Sequence, residues 1–156
     1  MIITNTEFMT VINTDGSTVG QNKIGITKFV GLGASCAELG WRIMKKERGL
    51  SNNEAEFKAL ILGMEEAISK KIKNAHFLLD SMIVMNRANG QRAKGKHKNE
   101  RMDEFQDQVF ELSKKFTSVK FSWIRREQNE AADELSKKAH WLELNVVFRL
   151  SQKKNT

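Results

Sequence analysis

The stretch Asn13-Thr14-Asp15-Gly16-Ser17 follows a short apolar run, Phe8-Met9-Thr10-Val11-Ile12. The run suits a strand, and the glycine of Asp-Gly-Ser suits its abrupt end, so strand one is expected to finish at Asp15. That places one carboxylate at a strand's end, beside small residues that let a ligand approach the backbone. Alone, Asp-Gly-Ser is most often a turn. It gains meaning only where other carboxylates come to share its space.

At 156 residues the chain suits one domain with a real hydrophobic core, read as residues 1–144 with a C-terminal tail at 145–156. Its 40% hydrophobic and 29% charged residues are those of a soluble globular protein. No run of about 18 apolar residues appears, so no membrane span is expected. The N-terminus has no basic region followed by an apolar stretch, so nothing indicates secretion. The single cysteine, Cys36, cannot form an internal disulfide, and a reducing, cytoplasmic setting is the default. A net charge of +7 favours polyanionic partners through counterion release, although composition alone fits a merely basic surface equally well. Zinc-ligand, phosphate-loop and dinucleotide patterns are absent.

In chain order, residues 1–7 form a polar lead-in and residues 18–23 a polar loop. Two β-like stretches follow at 28–37 and 40–47, with a hairpin turn at Glu38-Leu39-Gly40. Three consecutive strands suggest an antiparallel meander. Ser51-Asn52-Asn53-Glu54-Ala55-Glu56 opens a helix to about residue 71, with Ser51 or an asparagine as its cap. Ala59, Leu60, Gly63 and Ala67 share one face, and Glu56 lies on that same face, the wrong place for solvation. Glu54 is read as solvated. Ala75-His76-Phe77-Leu78-Leu79 is a mostly apolar strand ending at Asp80-Ser81, which repeats the arrangement at Asp15. A helix over 82–88 stops at Asn89-Gly90. Residues 91–101 are densely basic and, taken alone, read as a solvated loop. A helix to residue 116 carries Met102, Phe105, Val109 and Leu112 at core spacing, and 119–124 alternate as a strand. The last helix holds Ala131, Ala132, Asp133, Leu135 and Ala139. Residues 145–156 read as a weakly ordered tail on which Val146, Val147 and Phe148 offer docking groups.

The order β-β-β-α-β-α-α-β-α implies an α/β mixed sheet, with crossover helices allowing a parallel portion. Substrates often sit at the carboxyl ends of strands in such sheets, where Asp15 and Asp80 are expected. With Glu56 and Asp133 they make a set of four carboxylates. Clustered carboxylates repel unless a cation neutralises them. Mg²⁺ takes oxygen ligands and keeps waters for substrate phosphates, and two ions about 4 Å apart serve phosphodiester cleavage. The residues alone leave the four a candidate set, because nothing in one dimension brings them together.

Over about residues 8–140 the chain resembles type 1 ribonuclease H. The resemblance rests on Thr14-Asp15-Gly16-Ser17, Asn52-Asn53-Glu54-Ala55-Glu56, Leu79-Asp80-Ser81 and the run Arg126-Glu127-Gln128-Asn129-Glu130-Ala131-Ala132-Asp133. Each motif is short, but their joint order and spacing are specific. The resemblance implies a five-stranded ribonuclease H-like sheet flanked by helices, with its first three strands antiparallel. It also implies hydrolysis of the RNA strand of RNA–DNA hybrids with two Mg²⁺ or Mn²⁺ ions; the chain is expected to act as a monomer. The family's four acidic metal ligands carry over to Asp15, Glu56, Asp80 and Asp133. Gly16 and Ser17 match positions where the backbone lies close to RNA, and Asn52 and Asn53 match minor-groove contacts, with helix capping as their plain alternative. Ser51 and, more loosely, Asn99 match the hold on a DNA phosphate.

Two departures stand out. The interval from Asp80 to Asp133 is too short for the separate basic protrusion of some relatives, so the loop Gln91–Arg101, with Lys94, Lys96 and Lys98 at its centre, is a candidate source of part of that grip. The histidine many relatives carry before the last aspartate is also missing. Arg126 resembles the arginine found there in the archaeal- and plant-like branch, and takes a supporting role. His76, His97 and His140 are assigned surface or structural positions. The competing readings are a nuclease-silent module binding hybrid or double-stranded RNA, and the ribonuclease H part of a reverse transcriptase or mobile element. Met1 and the self-contained length favour a stand-alone protein.

Overall fold

Three strands, β1 (Thr10–Thr18), β2 (Phe29–Cys36) and β3 (Trp41–Arg48), pair antiparallel, as the sequence predicts. In this computed structural model the described residues are 8–18, 29–92 and 99–151. The lead-in, most of the polar loop after Thr18, Lys94, Lys96, His97, Lys98 and the last residues from 152 lie outside them. Between β2 and β3 the turn closes with the Gly40 N–H donating to the Cys36 carbonyl at 2.9 Å, and Gly40 takes a φ of 71° that favours glycine.

Helix α1 (Asn52–Ser69) then crosses to β4 (Asn74–Leu79), which runs parallel to β1. After α2 (Met82–Ala88) and α3 (Glu100–Ser113), β5 (Ser118–Trp123) runs parallel to β4. Helix α4 (Glu130–Lys138) follows. A sixth strand, β6 (Val147–Ser151), pairs antiparallel with β3 and gives the sheet order β5-β4-β1-β2-β3-β6. This corrects the expectation of five strands and a loose tail. Leu150 joins Met44, Leu135 and Ala139 in a small apolar cluster, while Arg149 Nε donates to the buried Glu66 Oε2 at 2.8 Å.

Strand β1 also outruns its expected end at Asp15. Its parallel pairing with β4 stops at Asn13, opposite Leu78, but its pairing with β2 continues to Thr18. Asp15 therefore sits where β1 projects beyond β4, and a crevice opens there.

Helices cover both faces of the sheet. On one, α1 packs so closely that a Cβ on Gly63 would lie 2.8 Å from Thr14 Cγ2. On the other, a Cβ on Gly33 would lie 2.7 Å from Leu135 Cβ of α4. Strand β2, between them, is buried almost throughout. Ile12, Leu32, Phe57, Leu60 and Phe77 fill the α1 side, joined by Met102, Phe105 and Val109 of α3 as their spacing predicts. Each such side chain contributes about 1.5–3 kcal/mol on burial.

Ser51 caps α1 reciprocally with Glu54: its Oγ accepts from the Glu54 N–H at 3.3 Å and donates to Glu54 Oε1 at 2.9 Å. Glu54 is buried, which corrects its reading as solvated. Arg101 Nη1 meets its Oε2 at 2.9 Å, so the helix start and the α3 start are tied by one ion pair. Among the described residues no helix is long and apolar enough to cross a membrane.

Candidate active site

Asp15 extends from β1 toward the α4 face, opposite Gly33, which has no side chain to fill that space. The next residue, Gly16, meets the first turn of α1 from the other face; a Cβ there would collide with the Ala55 carbonyl and lie 2.7 Å from Glu56 N. Glycine at this position is therefore what allows Glu56 to reach Asp15. Asp80 arrives just beyond the end of β4. One carboxylate oxygen from each of Asp15, Glu56 and Asp80 lies within 4.8 Å of the others.

Two side chains, one at the start of α4 and one within it, fix this arrangement on either side of Asp133. Asn129, buried at the start of α4, donates through Nδ2 to the Thr14 carbonyl at 2.9 Å and to Asp80 Oδ2 at 3.1 Å. Its Oδ1 accepts from Asn13 Nδ2 at 3.0 Å, so β1, Asp80 and α4 meet at one amide. Ser136 Oγ donates to the Asp133 carbonyl at 2.7 Å and lies 3.4 Å from Asp15 Oδ2.

Burial dominates the electrostatics. It pushes the Asp15 carboxyl up from 3.8 to about 7; contact with Glu56 opposes this, and the charges of Asp80 and Asp133 reinforce it. Burial, then the charge of Asp15, holds Glu56 well above the ordinary carboxylate range. Glu56 Oε2 is buried without a hydrogen-bond partner. Buried acids with all-oxygen donors and an unpartnered oxygen fit a hard divalent cation, which would favour their charged forms.

Asp133 lies beside Asp15 but outside the mutually close trio. Lys137, one helical turn on, holds its Oδ2 at 2.9 Å. Partial burial raises its pKa, but Lys137, Asp15 and Arg126 outweigh this and set it below the ordinary range.

Around these acids lies a cleft of about 440 Å³, lined by Gly16, Ser17, Asn52, Asn53, Arg126 and Lys137 as well as the four carboxylates. The Asn52 amide is oriented by Thr18, whose hydroxyl donates to Asn52 Oδ1 at 2.7 Å. Ser51 and Asn99 are not among the lining residues. Asn99 caps α3, with its Oδ1 accepting from the Met102 N–H at 3.2 Å. Of the basic residues at 91–101 that are described, Arg92 pairs with Asp107 at 2.6 Å and Arg101 with Glu54. Both are committed within the fold; Lys94, Lys96 and Lys98 lie outside the described residues. His76 bonds Ser122 across β4 and β5, and His140 lies against Ser17. The sequence reading did not assign site roles to Thr18, Asn129, Ser136 or Lys137. For Asn129 a signal was present, one turn before Asp133, but capping explains an asparagine there equally well.

Residues 13–139 match the family described as reverse transcriptase-like. The chain belongs to that family. Its fold is ribonuclease H-like: the ribonuclease H domain of Rv2228c from Mycobacterium tuberculosis, solved fused to maltose-binding protein, superposes with a TM-score of 0.70. That match has 27% identity and covers 83% of this chain and 91% of that one. LC11 ribonuclease H1, solved with an RNA/DNA hybrid, gives a TM-score of 0.67 at 23% identity, covering 83% of this chain and 94% of that one. By sequence, the Enterococcus faecalis protein EbsB is 35% identical over 92 residues, 58% of this chain and 65% of EbsB. The M. tuberculosis bifunctional protein Rv2228c is 32% identical over 89 residues, 57% of this chain and 24% of that protein. The chain thus spans less than two thirds of either relative's own length.

Proposed function

We propose that this chain hydrolyses the RNA strand of RNA–DNA hybrids, as a monomer dependent on Mg²⁺ or Mn²⁺. The observation that carries the reading is the acidic trio of Asp15, Glu56 and Asp80, with Glu56 Oε2 unpartnered, at the floor of a cleft rimmed by amides and cations. Asp15, Glu56 and Asp80 would hold the ions, with Asp133 completing the set as it leaves Lys137. When bound, two such ions activate water and stabilise the departing oxygen of a phosphodiester.

The chain's own groups divide the remaining work. Asn129 holds the Asp80 carboxylate in one rotamer, and Ser136 secures the turn that carries Asp133 beside Asp15. Asn52, steadied by Thr18, and Asn53 face the minor groove, where 2′-hydroxyls distinguish RNA from DNA. Arg126 and Lys137 supply positive charge for the scissile phosphate and its neighbours. Carboxylates aimed at a phosphodiester repel it unless cations intervene, so a pure binding module has no use for this cluster.

The test is cleavage of a labelled RNA–DNA hybrid in Mg²⁺ or Mn²⁺, beside RNA–RNA and DNA–DNA duplexes. Cleavage confined to the hybrid's RNA strand and abolished by Asp80→Asn is the expected result. Tight hybrid binding without cleavage in either metal would overturn it.

A further inference from the structure

Beyond Asp15, β1 leads to a second surface on the α4 face of the sheet. Ser17 lies two residues on, about 7 Å along the strand, and its Oγ is 3.0 Å from His140 Nε2. The His140 carbonyl accepts from Lys46 Nζ at 3.1 Å. In register, Ser17 stands opposite Gly31, Gly31 opposite Lys46, and Phe29 opposite Arg48, so Lys46 and Arg48 share this face. Lys46 Nζ lies 4.5 Å from the Phe29 ring centroid and the Arg48 guanidinium 6.0 Å from it. Neither cation has an ion-paired carboxylate among the described residues, in contrast to Lys45 on the opposite face, which pairs with Glu47 at 2.9 Å. Next to His140, Trp141 is 91% exposed. An indole normally loses most of its surface to packing.

Cations at strand spacing, one of them holding the carbonyl that precedes a bare aromatic residue, match an unpaired nucleic-acid strand: the cations follow its backbone, and a base stacks on the ring. A duplex keeps its bases within its own stack and has little use for such a ring along its length. A second copy of this chain is a poor occupant, because a two-fold contact through the patch sets Lys46 and Arg48 against like charges.

We propose that Lys46, Arg48 and Trp141, joined to the cleft through His140 and Ser17, bind the single-stranded continuation of the nucleic acid lying in the cleft. Lys46 and Arg48 contact its phosphates, and Trp141 stacks on its first free base. The proposal rests on the cleft being the hybrid site, and it makes hybrids with unpaired ends the preferred substrates.

The test is fluorescence anisotropy of the native chain in EDTA with three labelled probes: a blunt hybrid, the same hybrid with a short unpaired overhang at one end or the other, and a free single strand. An overhang at one end should tighten binding about tenfold, the gain expected from one stacked base. Trp141→Ala should remove that gain and weaken the free strand equally, with blunt-hybrid affinity, blunt-hybrid cleavage and Tm unchanged, since the ring is packed against little. Arg48→Ala should reduce the salt slope of overhang binding by about one. Equal affinity with and without overhangs, or a gain that survives Trp141→Ala, would overturn the proposal. So would self-association that Trp141→Ala abolishes in a chain that binds no single strand. Trp141-dependent strand binding in a chain that does not cleave hybrids would retain this surface and remove the nuclease reading. Hybrid cleavage without such binding would do the reverse.

Discussion

Asp15 and Glu56 are acids held where their charged forms are costly. For Asp15 the folded pKa of about 7 exceeds the ordinary 3.8, so the group favours the folded state fully below pH 3.8. That contribution is lost as pH rises through about 7, and Glu56 acts in the same direction. Thermal melts in EDTA should therefore show a lower Tm near pH 8 than near about pH 5, and added Mg²⁺ should raise Tm more at the higher pH. Asp15→Asn removes a repelled charge. It should raise the metal-free Tm near about pH 8 while abolishing both the Mg²⁺ response and hybrid cleavage. Asn129 joins three partners from a buried position, so Asn129→Ala should cost about 2–3 kcal/mol in urea unfolding. With Asp80 released from its hold, cleavage should fall more than hybrid binding.

Among the elements, α4 depends on the glycines beneath it. Gly33→Ala would place a methyl 2.7 Å from Leu135 Cβ and 2.8 Å from the Ala132 carbonyl, forcing the helix outward. A stability loss of about 1–3 kcal/mol is expected in urea unfolding, with weaker metal binding by calorimetry because Asp133 rides on that helix. Strand β6 is secured by a different device. Glu66 is 4% exposed and takes its charge partner from Arg149, with Ser69 donating to its other oxygen. Arg149→Ala leaves a buried carboxylate without its cation, and a loss of about 1–3 kcal/mol follows. The same substitution with Glu66→Gln should recover part of it, which a double-mutant cycle measures.

For the whole molecule, the net charge of +7 predicts hybrid binding that weakens steeply with salt, read as the slope of log affinity against log salt. The elements and their order were legible because periodicity is local: Met102, Phe105 and Val109 announce a buried helix face, and Ala75 to Leu79 a strand, without any distant partner. The four carboxylates were legible for a different reason, as members of short motifs whose joint order is specific. β6 was obscured because an edge strand half open to water carries a mixed pattern. Whether a charged side chain is solvated, paired or structural depends on what folding brings beside it. Glu54 looked solvated until Arg101 met it across 47 positions, and that pair took one cation from the supposed substrate grip. Asn129 had no assigned role until folding set it against Asp80, 49 positions away. By itself the sequence determined the first five strands, the helices and a candidate set of acids. Only the tertiary structure decided which acids share a site, which cations remain for a ligand and which amide holds them in place, because those interactions join residues whose separation along the chain carries no information about their distance in space.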